Sequence, residues 1–280
     1  MRRRHMRLAD GRVIRFPAIM GILNVTPDSF HDSGRYFDHA RAVAHGIEMA
    51  AAGAGIIDVG GESTRPGAME IDAEEESRRV IPVIRALVKR LKIPVSADTR
   101  RAVVARAALG EGAAIINDVS ALTFDPAMIA VAKNGRAAVV LMHMRGTPAT
   151  MARMARYGDV VEEVCGYLAA RAEAVIRAGI ARSRIIIDPG FGFAKRPRHN
   201  LKLLAGISQI AALGYPVLLG FSGKTIAVHA DGERARIARN AAAEMLALAG
   251  GASIIRVHDP GLTAAVIRVA SQMGAGSLPA

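Results

Sequence analysis

"AGIIDVGGESTRPGAMEIDAEEESRRVIPVIRALVKRLKIPVSADT", residues 54–99, holds one complete repeat of the pattern on which the chain is built. It opens on an apolar run, Ile56, Ile57 and Val59, and closes on another, Ile93, Val95 and Ala97. Between them Val80, Ile84, Leu87, Val88 and Leu91 recur at i, i+4, i+7, i+8 and i+11, the stripe of a helix with one buried face. The spacing predicts strand, then helix over 74–92, then strand. Near-continuous apolar strands are buried on both faces, which points to a parallel sheet.

Moving outward, six further runs of the same kind complete a set of eight: "PAIMGILN" (17–24), "AAIINDV" (113–119), "AAVVLMH" (137–143), "RIIIDPG" (184–190), "YPVLLGFS" (215–222) and "SIIRVHD" (253–259). Asp125-Pro126 and Asp259-Pro260 each read as an N-cap followed by proline at the first helical position, and Gly135, Gly179 and Gly214 stand where helices should stop. Eight strand–helix units in one chain of 280 residues predict an α/β fold, a single-domain (β/α)8 TIM barrel over 16–275, preceded by a frayed basic arm over 1–15. A doubly wound open sheet is the competing fold. It calls for a glycine-rich first turn, whereas the first turn here is "NVTPDS".

Composition narrows the function. No apolar run is long enough to span a bilayer and no secretory signal follows the basic start, so the chain reads as soluble and cytoplasmic, with no membrane partner. The single cysteine, Cys165, excludes a disulfide framework and a multi-thiolate metal site, and its place beside Val161, Val164 and Leu168 makes it helix filler. The net charge is +12 and arginine dominates the positive residues, which favours an anionic ligand such as a phosphate. Nucleic acid is not expected as a partner, because the arginines are dispersed, aromatics are scarce and no nucleic-acid-binding motif occurs. Most of the arginines are expected on solvated helix faces.

In a barrel of this kind the C-terminal strand ends converge on one mouth. Here they carry Asn24; Asp58 and Glu62; Asp98; Asn117 and Asp118; His143; Asp188; Ser222 and Lys224; Arg256 and His258. Asp118 and Asp259 are expected to be structural. Two connecting stretches, 25–36 and 61–73, are longer than usual for such turns and read as lids. Arg65, Arg256 and His258, with Asn24 and Lys224, form a predicted electropositive corner, opposite an acidic and amide-lined corner of Asp98, Asn117 and Asp188. That division implies a donor-rich heterocycle at one end of the ligand and phosphate at the other. The stretch "GFSGKTIAVHA" (220–230) ends a P-loop-like motif at Gly223-Lys224-Thr225, but the required first glycine is Leu218, so the phosphate-cradle reading fails.

"MGILNVTPDSF", "IDVGGESTRPGA", "SADT", "IINDVS", "LMHMRGTP", "IDPGFGF", "GFSGK" and "IIRVHD", in that order, resemble the dihydropteroate synthase family, over about residues 17–270. The resemblance implies a transferase that joins 6-hydroxymethyl-7,8-dihydropterin diphosphate to 4-aminobenzoate, releasing diphosphate. It further implies that Asn24 ligates Mg²⁺, that Arg65, Arg256 and His258 hold the diphosphate, and that Asp98, Asn117, Asp188 and Lys224 form the pterin pocket. Thr64, Pro66, Phe193 and Ser222 fall at the aminobenzoate pocket, and a homodimer is implied. Asp98, Lys224, Arg256 and His258 are the expected catalytic residues.

One departure stands out: Gly223 occupies a position where the family commonly carries arginine between Ser222 and Lys224. A catalytically silent paralogue, or a pterin-binding barrel of the methyltetrahydrofolate methyltransferase type, is the alternative; Arg65, Arg256 and His258 favour the synthase over the latter. A zinc hydrolase built on His143 and His258 lacks a third ligand at suitable spacing.

Overall fold

The structure, a computed structural model, describes residues 5–26, 31–32, 36–62, 70–147, 150–220 and 232–273. The chain begins with a hairpin, β1 (His5–Arg7) and β2 (Val13–Arg15). The elements β3 (Ala18–Asn24), β4 (His31–Asp32), β5 (Tyr36–Phe37), α1 (His39–Ala51), β6 (Ile56–Gly60), α2 (Ala73–Arg90), β7 (Val95–Asp98), α3 (Ala102–Gly110) and β8 (Ile115–Asp118) come next. After them stand α4 (Met128–Asn134), β9 (Ala138–Met142), α5 (Val160–Arg177), β10 (Ile185–Asp188), α6 (Pro197–Ala205), α7 (Ile207–Ala211), β11 (Leu218–Gly220), α8 (Glu233–Gly250), β12 (Ile254–Val257) and α9 (Pro260–Gln272).

Eight parallel strands form one sheet in the order β10-β9-β8-β7-β6-β3-β12-β11, and a parallel bridge between Ile187 and Val217 brings its two edges together. The result is a (β/α)8 barrel, and each of the eight apolar runs supplies one of its strands. In α2 the predicted stripe faces inward, with Val80, Ile84 and Leu87 buried, and Asp72 caps the helix by accepting the N–H of Glu75 at 2.8 Å. Asp259 caps α9 as expected, accepting from Gly261 and Leu262, and Asp118 is spent on its own turn, accepting from Ser120 and Leu122.

Two expectations need correction. Residues 5–15 are not a frayed arm: β1 and β2 pair antiparallel, Gly11 turns the chain at φ +89, and Met6, Leu8 and Ile14 are buried with Met20, Ile56, Ile115, Ile186 and Ile254. The hairpin plugs the N-terminal end of the barrel, and Arg12 fastens it by donating to the carbonyls of Ile93 and Gly112, both at 3.1 Å. Asp125 stands further from α4 than a cap should, since that helix begins at Met128; its Oδ1 still accepts the N–H of Ala127 at 2.9 Å, while its Oδ2 accepts the N–H of Ala102 at 2.8 Å and so caps α3 as well. Arg79 and Arg101 are exceptions among the arginines, buried against carboxylates and carbonyls.

Candidate active site

Side chains alternate along a strand, so residues two apart share a face. Ile56, Ile115, Ile186 and Ile254 point into the sealed end of the barrel, and Asp58, Asn117, Asp188 and Arg256 lie two residues beyond them. The same periodicity that fills the core therefore sets a polar layer directly above it, at the mouth.

Arg256 organises that layer. Its Nε donates to Asp58 Oδ2 at 2.7 Å and its Nη2 to Asp98 Oδ2 at 2.6 Å, while Asn117 Nδ2 donates to the same Asp58 oxygen at 2.8 Å. Asp58 is fully buried, and its Oδ1 and the neighbouring Ser96 Oγ have no hydrogen-bond partner among the described residues. Burial pushes the Asp98 carboxyl up to about 7; Arg256 pulls it down and Asp58 adds to the rise. Burial works against the charge on Arg256, but Asp58 and Asp98 outweigh it and hold its pKa above the usual arginine value. Asp188 is oriented from behind, its Oδ1 accepting the N–H of Gly190 at 2.7 Å.

The two-corner division of the mouth is thereby corrected for Arg256. A guanidinium was expected to face phosphate across the cavity from the acidic groups, yet two carboxylates draw it among them, because a buried carboxylate without a counter-charge is costly. The cluster offers oriented acceptors, one amide and one fixed cation. Such a set suits a flat heterocycle rich in N–H groups that develops positive charge.

Around this floor, Asn24 ends β3 half-buried, paired in register with Gly60, and His258 lies exposed just past β12. Phe193 is buried against Val119, Met142 and Met151. Thr64, Arg65, Pro66, Ser222 and Lys224 lie outside the described residues, as does Gly223. The flanks of the 61–73 stretch are held firmly. Arg101 donates to Glu62 at 3.0 and 3.1 Å, to Glu76 at 2.7 Å and to the carbonyl of Ile71, and Arg100 donates to Glu70 at 2.7 Å. Burial would raise the Glu62 carboxyl, but its bond from Arg101 and the charges of Arg100 and Arg101 hold it below its ordinary value. Both arginines directly succeed Asp98-Thr99, so one turn serves the polar floor and this clamp.

A magnesium ion prefers oxygen donors and keeps several waters. Asn24 supplies an amide oxygen at the mouth, and no group of three or more His, Cys, Asp or Glu able to hold a metal occurs among the described residues. That donor set fits an ion brought in by phosphate oxygens. His143 is buried, and its Nδ1 faces Lys195 Nζ at 2.9 Å. Sequence reasoning finds Asp58 only as one strand end among eight and gives it no role, and it misses Lys195, which carries no periodic signal at all.

The profile of the family described as pterin binding enzyme matches residues 20–258. A dihydropteroate synthase of Synechocystis sp. is 42% identical over 258 residues, covering 91% of this chain and 89% of that protein. Among solved structures, Xanthomonas albilineans dihydropteroate synthase with 4-aminobenzoic acid superposes with a TM-score of 0.89 at 42% identity, covering 99% of both chains. The same enzyme in complex with 7,8-dihydropteroate gives 0.86 at 40% identity, covering 98% of this chain and 100% of the other.

Proposed function

This chain belongs to the pterin-binding enzymes and, within them, to the dihydropteroate synthases, and from that premise we propose how its own residues serve the reaction. The reaction is the condensation of 6-hydroxymethyl-7,8-dihydropterin diphosphate with 4-aminobenzoate to 7,8-dihydropteroate and diphosphate. The observation that carries the assignment of roles is the polar layer of Asp58, Asp98, Asn117, Asp188 and Arg256 at the mouth.

Asp188 accepts two parallel N–H bonds from the guanidine-like edge of the pterin, as a carboxylate does from arginine. Asn117, its amide oriented by Asp58, reads the adjoining edge. Lys224 donates to the pterin carbonyl. As the bond between the exocyclic methylene and the diphosphate oxygen breaks, positive charge spreads into the ring, and ionised Asp98 stabilises it. Arg65 and His258 take the departing diphosphate, with Arg256 linking that end to the acidic floor. When bound, Mg²⁺ at Asn24 supplies further neutralisation of the diphosphate. The amine of aminobenzoate, held by Thr64, Pro66, Phe193 and Ser222, attacks the methylene carbon and loses one proton to solvent as the C–N bond forms, and no covalent enzyme intermediate forms.

No helix among the described residues is long and apolar enough to cross a membrane, and a cytoplasmic setting is consistent with the single cysteine. A homodimer is supported by exposed apolar side chains on α9, Leu262 and Val269, with Met273 at its C-terminal end.

Diphosphate release by the purified protein, with Mg²⁺ and with or without 4-aminobenzoate, tests the proposal. Release that depends on aminobenzoate is the expected outcome, and pterin binding without turnover would point to a silent paralogue. Gly223→Arg restores the cation common in the family, so it should lower the aminobenzoate KM severalfold. An unchanged KM would show that the glycine is immaterial.

A further inference from the structure

Lys195 has no part in the reaction as assigned to the other residues, yet it is buried in the protein at 8% exposure with its ammonium group engaged. Nζ donates to the carbonyl of Phe193 at 3.0 Å and to that of His143 at 3.3 Å, and it stands 2.9 Å from His143 Nδ1. Because an ammonium group has no acceptor, Nδ1 must accept, which puts the ring proton of His143 on Nε2 and leaves the imidazole neutral. His143 ends the run through β9, and Phe193 belongs to the turn after β10. One side chain therefore ties together the ends of two neighbouring barrel strands.

The turn it holds is strongly shaped. Gly190 and Gly192 have φ of +69 and +77, and Ala194, which bears a Cβ, is held at +51. A residue with a side chain in that region persists only where its surroundings enforce it. The Gly190 backbone passes so close to His143 that a Cβ added there would meet its carbonyl oxygen at 2.1 Å. Other ties to this turn are the Gly190 N–H on Asp188, at 2.7 Å, and the Gly192 N–H on Asn200, at 3.1 Å. Neither of these holds the Phe193 carbonyl, which Lys195 does. Tyr167 packs edge-on against the His143 ring at 4.9 Å, Tyr157 lies 6.1 Å from it, and Arg145 covers the Tyr157 ring, so the lysine contact is enclosed on its outer side.

We propose that Lys195 is a positioning residue for the aminobenzoate end of the site: by fastening the Phe193 carbonyl to His143 it fixes where the Phe193 ring stands at the mouth. The inference rests on the aminobenzoate role proposed for Phe193. It predicts an effect on one substrate and not the other, since Asn117 is held by Asp58, and Asp188 keeps its own bond to the Gly190 N–H when the lysine is removed.

The test is Lys195→Met, which keeps length and removes the donors, beside Phe193→Leu and the double variant. Lys195→Met should raise the aminobenzoate KM about tenfold, leave kcat within about threefold and leave the dissociation constant of the pterin diphosphate unchanged. The two changes should be non-additive, because one acts through the other. Additive effects, or an unchanged KM, would overturn the proposal. If the methionine variant does not fold, Lys195→Gln carries the same test.

The contact itself is read by nitrogen NMR of His143 without any turnover. Burial first, then the charges of Lys195 and Arg145, push its pKa down to about 3, so the wild type should show a neutral ring protonated on Nε2 at pH 5. In the methionine variant the ring should titrate at higher pH. A wild-type His143 that is charged at pH 5 would also overturn the proposal. Failure of aminobenzoate-dependent turnover in the wild type would instead sink the functional assignment, while the NMR result still decides whether the lysine contact exists.

Discussion

The two ends of this barrel are made from the same strands and differ by two residues. At the N-terminal end, Ile56, Ile115, Ile186 and Ile254 close against Met6, Leu8 and Ile14 of the hairpin, and the interior there is apolar. One alternation further along, the same strands present Asp58, Asn117, Asp188 and Arg256. An apolar plug and a charged layer are stacked in one barrel, and each depends on the other. The polar groups can be held in fixed geometry because the layer beneath them is close-packed.

The sharpest way to break this contrast is at the cation. Arg256→Met would leave Asp58 and Asp98 facing each other without a counter-charge, so kcat/KM should fall at least about 100-fold, and the melting temperature should drop as well. At the opposite end, Leu8→Ala opens a cavity in the plug and should cost about 2–4 kcal/mol of stability, measured by denaturant unfolding, with kinetic constants unchanged below the transition. Loss of activity in a folded Leu8→Ala protein would mean that the two layers are not separable.

Asp58→Asn is subtler. It keeps the shape but weakens the charge-assisted bond to Arg256, and about a tenfold loss in kcat/KM is expected, with the aminobenzoate KM unaltered. Smallest is the dependence on pH. In its proposed role Asp98 acts as a carboxylate, so kcat/KM should decline as pH falls through about 7, and Asp98→Asn should abolish that inflection. Stability moves the other way. The folded-state pKa is raised from 3.8 to about 7, so the contribution of Asp98 is present at acid pH and is lost as pH rises across that interval.

Much of this is legible in the sequence for a physical reason. Strands buried on both faces read as apolar runs, and all eight are visible as such; their polar terminal residues stand out against that background. The failures share a cause too. Met6, Leu8 and Ile14 sit one or two at a time in or beside three-residue strands among arginines, too short to show a period, and only the open end of the barrel gives them somewhere to go. Asp125 reads as the cap of the helix next to it in sequence, and its Oδ1 does hold the Ala127 N–H there, but its Oδ2 also caps α3 across space, which no local pattern shows. Arg256 reads correctly as a strand end and in the wrong company, because a long side chain can reach either corner and the carboxylates of β6 and β7 decide which. Lys195 is unreadable for the same reason: its three acceptors come from two strand ends far apart in sequence.

As proposed, the charged layer on the barrel strands forms the pterin floor. Calorimetric titration of 6-hydroxymethyl-7,8-dihydropterin diphosphate into the wild type and into Asp188→Ala tests it directly. One site per chain is expected in the wild type and affinity at least about tenfold weaker in the variant, with the fold intact. Equal affinity in the two proteins would contradict it.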